Sequence, residues 1–197
     1  APYRRLNLCN KNFENINKYD NSKAPDLLAE VCMAAKYEGE SITQNHGKYQ
    51  ISYPGSQICT MLARSFADIG DIVRGKDLYH GKKKRGQTER EKLEENLKKI
   101  FENIYEELKG AKTRYEGDKN NNFFKLREDW WNANRDQVWK ALTCDDKLSN
   151  YKYFRATCSD RQGEAQAKNK CRCEGANIVP TYFDYVPQFL RWFEEWA

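Results

Sequence analysis

Apolar residues recur along the chain in blocks at helical spacing, separated by polar stretches punctuated with glycine. Leu27, Leu28, Val31, Cys32 and Ala35 form the first block, behind Pro25, whose fixed φ suits a first helical turn. The spacing predicts a short helix ending near Gly39. From Gln57 onward Ile58, Met61, Leu62, Phe66, Ile69, Ile72 and Val73 keep the period for about four turns, up to Gly75, a favourable stop. That pattern predicts a core helix. The next stretch, Gly75 to Thr88, has no apolar face and reads as an exposed loop.

Thr88 with Glu91 three residues later is a capping-box pattern, and Leu93, Leu97, Ile100, Phe101, Ile104 and Leu108 follow on one stripe. A second long helix is expected there, fraying before Gly117. After a turn at Asp118 to Asn122, a third helix is marked by Phe123, Leu126, Trp130, Trp131, Val138, Trp139 and Leu142. Residues 145–178 have weak periodicity and three cysteines, and read as loop or short helix held by bridges. A last amphipathic helix opens near Pro187 and carries Phe189, Leu190, Phe193 and Trp196. The fold class is therefore mainly α: a disulfide-braced helical bundle with a loop-rich N-terminal lobe.

The seven cysteines, Cys9, Cys32, Cys59, Cys144, Cys158, Cys171 and Cys173, are spread along 197 residues, which points to disulfides and an oxidising compartment. Cys59 precedes the second block and Cys144 follows the third helix, so a Cys59–Cys144 bridge is expected across the bundle. Cys9 and Cys32 are expected to close the first lobe on each other, the rival being that one of them reaches into the second. Only Cys171 and Cys173 are close enough to suggest paired metal ligands, and His46 and His80 are distant, so no metal and no cofactor is expected.

No run of about 18 apolar residues exists, and the first residues lack an apolar signal core, so export and anchoring are expected to depend on parts outside this chain. A glycine-flanked serine elbow is absent, and both histidines sit in polar sequence, which argues against an enzyme. No zinc-finger, helix-turn-helix or aromatic ribonucleoprotein motif speaks for nucleic acid.

The formal net charge of +5 favours anionic partners. Its least neutralised run is Lys82, Lys83, Lys84 and Arg85, continued along the next helix by Lys98 and Lys99. Such a run suits a sulfated glycan, while the competing reading is a solvated helix face in which Glu94–Lys98 and Glu95–Lys99 pair at i,i+4 spacing. Trp130, Trp131 and Trp139 could offer a stacking platform, but they share a stripe with Leu126, Val138 and Leu142 and so read as core. Asp68, Asp71, Glu128 and Asp129 read as caps and ion pairs around Arg64, Arg74, Arg127 and Arg135 rather than as acid/base pairs.

Several long strings, in one order, resemble a known family. They are Leu27 to Glu40 (LLAEVCMAAKYEGE), Ala63 to Gly75 (ARSFADIGDIVRG), Leu126 to Trp131 (LREDWW) with Asn134 and Arg135, Tyr153 to Arg155 before Cys158, Lys170 to Cys173, and Val179 to Trp196 (VPTYFDYVPQFLRWFEEW). Together they are similar to the Duffy-binding-like alpha domains of the variant erythrocyte membrane protein 1 family of Plasmodium falciparum. The resemblance implies a three-part adhesin module: a loop-rich first subdomain over residues 1–53, a helical second over 54–176, and the first helix of a third over 177–197.

It also implies display on the outer face of the infected red cell, antibody recognition, and binding to a red-cell or endothelial receptor. Sulfated or other red-cell carbohydrate, or complement receptor, could serve rosetting. The alternative is an immune-variant spacer whose neighbouring domain binds the receptor.

Overall fold

Apolar stripes on four long helices meet in one core, described by a computed structural model over residues 1–14, 24–52, 54–84, 86–160, 163–174 and 177–196. Two short helices, α1 (Tyr3–Leu6) and α2 (Lys11–Glu14), precede α3 (Ala24–Ser52) and α4 (Ile58–Arg74). A two-stranded ladder, β1 (Lys83–Lys84) with β2 (Gln87–Thr88), leads into α5 (Glu89–Glu107). After two 3-10 turns comes α6 (Phe124–Leu142), then the ladder of β3 (Cys158–Asp160) with β4 (Gly163–Ala165), and finally α7 (Gln188–Trp196). The architecture is the mainly helical, disulfide-braced one expected.

Helix α3 does not stop at Gly39. It continues through Ser52 because this glycine is a contact and not a terminator: a Cβ there would lie 1.9 Å from the Leu142 carbonyl oxygen of α6. The missing side chain lets the two backbones touch, and the expected short helix becomes one of 29 residues. Gly75 behaves as anticipated, with φ +75° and the amide of Lys76 closing back on the Asp71 carbonyl at 2.8 Å.

Helices α4 and α6 run antiparallel, with Gly75 against Arg127 and Gly70 against Trp131. Phe66 sits between Trp131 and Trp139, its centroid 5.1 and 5.3 Å from theirs. All three tryptophans of α6 are buried, which makes them core and not platform. The α6 start is capped from outside: the Asp118 carboxylate accepts the amides of Lys125 and Leu126 at 3.1 and 2.9 Å. At α5 the capping box forms in full, Thr88 and Glu91 each accepting the other's backbone amide at 3.2 and 2.7 Å. This helix ends at Glu107, earlier than expected, because beyond Leu108 no apolar stripe continues before Gly110.

The disulfide expectations need correction. Cys59 bonds to Cys171, not Cys144, and Cys158 bonds to Cys173. The segment carrying Cys171 returns over the end of α6. There Arg172 donates to the carbonyls of Lys140 and Thr143, the Lys170 ammonium donates to the Cys144 carbonyl, and Trp139 Nε1 donates to the Cys171 carbonyl. Cys171 therefore takes the place next to Cys59 that chain order had assigned to Cys144. Cys9, Cys32 and Cys144 are free thiols, so the expected Cys9–Cys32 closure is absent.

Candidate functional site

The strings that carry the family resemblance converge on a buried ionic network. Along α4 the apolar stripe Leu62, Phe66, Ile69 and Val73 is buried, but so is the polar side with Ser65, Asp68, Asp71 and Arg74. Asp68 pairs with Arg4 at 2.7 Å and with Arg191 at 2.8 Å, and it also accepts from Gln188 at 3.0 Å. Asp71 pairs with Arg74 at 2.9 Å and Arg191 at 2.5 Å. Asp184 accepts from Trp131 Nε1 at 2.9 Å and from Arg135 at 2.7 and 2.8 Å. Arg127, fully buried, donates to the Val73 carbonyl and grips Glu94 with both terminal nitrogens at 2.5 and 2.9 Å. Among the expected acidic partners, Glu128 meets Arg74 and Lys76, and Asp129 meets Arg114.

Burial penalises both carboxylates of α4, with opposite net results. At Asp68 the two arginines, Arg4 and Arg191, outweigh it and hold the group below the usual carboxylate range. At Asp71 burial wins over Arg191 and Arg74, helped by the neighbouring Asp68 charge, and the group is pushed up to about 6. Split carboxylates of this kind can serve acid/base chemistry. Here each is sealed from solvent and claimed by guanidinium groups, so the pair braces α7 against α4. Arg4, Arg191 and Asp184 escaped sequence reasoning. Their one visible signal was charge placed within otherwise aromatic or terminal strings.

The basic run lies elsewhere and is not a plain loop. Lys83 and Lys84 pair with Thr88 and Gln87 in the β1–β2 ladder, so the run is joined rigidly to the α5 cap. Lys82 and Lys83 are exposed, while Arg85 and the Lys84 side chain lie outside the described residues. Lys98 and Lys99 stand on α5, about 14 Å from its start at 1.5 Å per residue, the former part-exposed and the latter exposed. The described lysines of this set therefore lie partly on the β1–β2 hairpin and partly on α5, and are not gathered into one cluster. Their expected helical partners are engaged elsewhere: Glu94 with Arg127, and Glu95 with the Gln87 amide at 2.8 Å.

Beside the hairpin opens a cleft of about 700 Å3 between the N-terminal segment, the end of α4 and the start of α5. Gly81, Glu89 and Arg90 line it next to the hairpin, Leu8, Ile72 and Leu93 supply apolar surface, and Arg5 is held by Asp77 at 2.5 Å. Cys9 also lines it, but burial and Glu38 push its thiol up to about 11, which leaves no thiolate to act as nucleophile. Among the described residues no cluster of three His, Cys, Asp or Glu side chains could hold a metal ion, and no helix is long and apolar enough to cross a membrane.

Comparison with known proteins places this geometry in context. The sequence matches the Duffy binding domain family over residues 1–191. Among solved structures, the chain is similar to the NTS-DBL1(alpha-1) domain of P. falciparum membrane protein 1 from the varO strain, with 43% identity and a TM-score of 0.78. It is also similar to the ICAM-1-binding DBLbeta domain of PfEMP1 IT4var13, at 34% identity and a TM-score of 0.72. A further PfEMP1 DBLb domain, bound to human ICAM-1, shares 33% identity with a TM-score of 0.67. Each match covers 100% of this chain but only 42%, 42% and 39% of the respective relative, so the chain spans well under half of their length. No curated protein matches the sequence. The match along almost the whole chain, on a fold whose core is built from the matching strings, makes the chain a member of the Duffy binding domain family.

Proposed function

We propose that the chain is a host-receptor-binding adhesin module, displayed on the infected red-cell surface, and that its basic hairpin contacts heparan-sulfate-like glycan. Family membership makes it an adhesion module and not an enzyme. One PfEMP1 DBLbeta relative is described as ICAM-1-binding, which supports a host receptor as the class of partner. The observation that carries the glycan reading is the pair of lysines on α5 left without a carboxylate partner among the described residues. Lys98 and Lys99 lose Glu94 and Glu95 to other partners, while Lys112 and Arg114 are neutralised by Glu106 and Asp129.

In this reading Lys82 to Arg85, with Lys98 and Lys99, form one edge along which a flexible polyanion lies. The chain divides into subdomains at 1–53, 54–176 and 177–197, the last being the first helix of a further unit. Residues 53 and 176 lie outside the described residues.

The test is heparin affinity at rising ionic strength, for the chain and for a variant carrying Lys82→Glu, Lys83→Glu, Lys84→Glu and Arg85→Glu. Exposed charges are screened over about 8 Å at physiological salt, so binding should weaken as salt rises and fall sharply in the variant. Stability should change little, since exposed positions usually shift it by under about 0.5 kcal/mol. Equal affinity of both proteins for heparin and for whole red cells, the outcome expected of a spacer, refutes the glycan contact.

A further inference from the structure

The cleft beside the hairpin pairs an apolar floor with basic groups that lack partners. Leu8, Ile72, Leu93 and Leu97 line it, each less than a tenth exposed, and Tyr37 and Tyr79 add two rings. Its acidic lining residues are each claimed. Asp77 accepts from Arg5 and Gln188, Glu94 accepts from Arg127, and Glu89 accepts from the Lys82 amide at 3.4 Å.

The basic lining residues are not fully engaged. Lys11, exposed, and Arg90, part-exposed, make no side-chain hydrogen bond or ion pair among the described residues. Arg5 is only 3% exposed and gives Nε and Nη2 to Asp77 at 3.2 and 2.5 Å, which leaves Nη1 without a partner among the described residues. The Tyr79 ring, 4.8 Å from the guanidinium carbon, and the Asp77 carboxylate fix its plane. A buried guanidinium on a cavity wall thus retains donor capacity toward the cavity.

We infer that this cleft is a site for an amphiphilic carboxylate, a medium-chain fatty acid. Its alkyl chain lies on the aliphatic floor, and its carboxylate meets Arg5 Nη1, Lys11 and Arg90. A cleft of about 700 Å3 falls in the range of small-ligand sites. An inorganic anion would leave the four aliphatic side chains unused, and a sugar ring would set its hydroxyls against them without hydrogen bonds. A neutral amphiphile would leave the cations without a counter-charge. The site goes beyond the glycan reading and does not rest on it, since neither Lys82 nor Lys83 is among its described lining residues.

The experiment is a nuclear magnetic resonance titration of the 197-residue chain with butanoate, hexanoate and octanoate, and with 1-octanol as the uncharged counterpart. Shifts should centre on residues 5–12, 37, 72–81 and 89–97. Affinity should rise about three- to fourfold for each added methylene, the factor that burying one CH2 gives. Octanol should bind about tenfold or more weakly than octanoate. Lys11→Ala combined with Arg90→Ala, both at solvent-accessible side chains, should cut that preference about tenfold and leave octanol affinity within about twofold.

The inference is overturned if affinity does not grow with chain length, if octanol binds as tightly as octanoate, or if the double variant keeps the full preference. Shifts confined to the exposed aromatic face of α7, around Phe189 and Phe193, overturn it too, as adsorption of the alkyl chain. So does binding of methyl β-glucuronide or N-acetyl-leucine as tight as that of octanoate, which would put an acidic sugar or a peptide terminus in the cleft. The chain-length series uses the parent protein, so the test stays decisive even if the double variant fails to fold.

Discussion

Replacing Phe66 with alanine tests how firmly α4 is locked against α6. The ring is fully buried, 5.1 Å from Trp131 at 44° and 5.3 Å from Trp139 at 83°, with the Arg135 guanidinium 5.5 Å from its centroid. Truncating such a phenylalanine costs about 3–5 kcal/mol, and each ring pair accounts for about 0.5–1.5 of that. The upper half of the range applies here because the neighbours cannot easily close over the cavity. Trp131 is tied to Asp184 at 2.9 Å, and Trp139 to the carbonyl of Cys171, itself bonded to Cys59.

An expected loss of about 4–5 kcal/mol corresponds, at about 2–4 °C per kcal/mol for a chain of this size, to a Tm lower by roughly 8–20 °C. Guanidinium unfolding under oxidising conditions, followed by tryptophan fluorescence, measures it directly, with half-exposed Phe154→Ala as a control expected to cost under about 1 kcal/mol. A loss below about 1.5 kcal/mol for Phe66→Ala would refute the packing argument.

Gly39→Ala should destabilise by about 2 kcal/mol, although alanine is the better helix former by about 1 kcal/mol, because the new Cβ meets the Leu142 carbonyl. Gly47→Ala, on the same helix with nothing within 4 Å, should instead stabilise slightly; equal effects in thermal melts would contradict the close approach. Non-reducing peptide mapping should recover Cys59 with Cys171 and Cys158 with Cys173, with Cys144 open to alkylation after unfolding, and a peptide joining Cys59 to Cys144 would disprove this connectivity. Because that first bridge closes a separation of 112 residues, Cys171→Ser should cost on the order of 4 kcal/mol in the chain-entropy picture.

Burial holds His46 below its ordinary pKa, and its Nε2 has no hydrogen-bond partner among the described residues. The fold therefore resists a proton that the unfolded chain accepts, so stability should decline as pH falls through about 6.5. His46→Gln should show a shallower decline between pH 7 and 5, and parallel curves would reject this assignment.

Helix existence and local chemistry were legible in the sequence wherever the deciding physics lies within a few residues. The Thr88–Glu91 box, the Gly75 stop and the Phe66 stripe each follow from neighbours in the chain, and each stands in the fold as its residues dictate. So was the charge of Lys82 to Arg85, because no periodic apolar face accompanies it.

Tertiary structure decided what depends on distant partners. Gly39 and Gly75 look alike in sequence, yet one ends a helix by its positive φ and the other admits a neighbouring backbone at mid-helix. Cys59 meets Cys171 only because the segment after α6 turns back over its end. Asp68 and Asp71 read as caps and ion pairs around Arg64, Arg74, Arg127 and Arg135, and only the fold brings Arg4 and Arg191, from distant parts of the sequence, to neutralise them.

The same arrival inverts α7, which buries Gln188 and Arg191 against the network and leaves Phe189, Leu190 and Phe193 in solvent. Glu94 likewise turns from Lys98 to the buried Arg127, since a guanidinium withdrawn from water needs an anion more than an exposed ammonium does. Local periodicity reports which residues can face a core. Which charges are taken inside it, and which are left free to meet a ligand, is set by pairings between segments far apart in the chain.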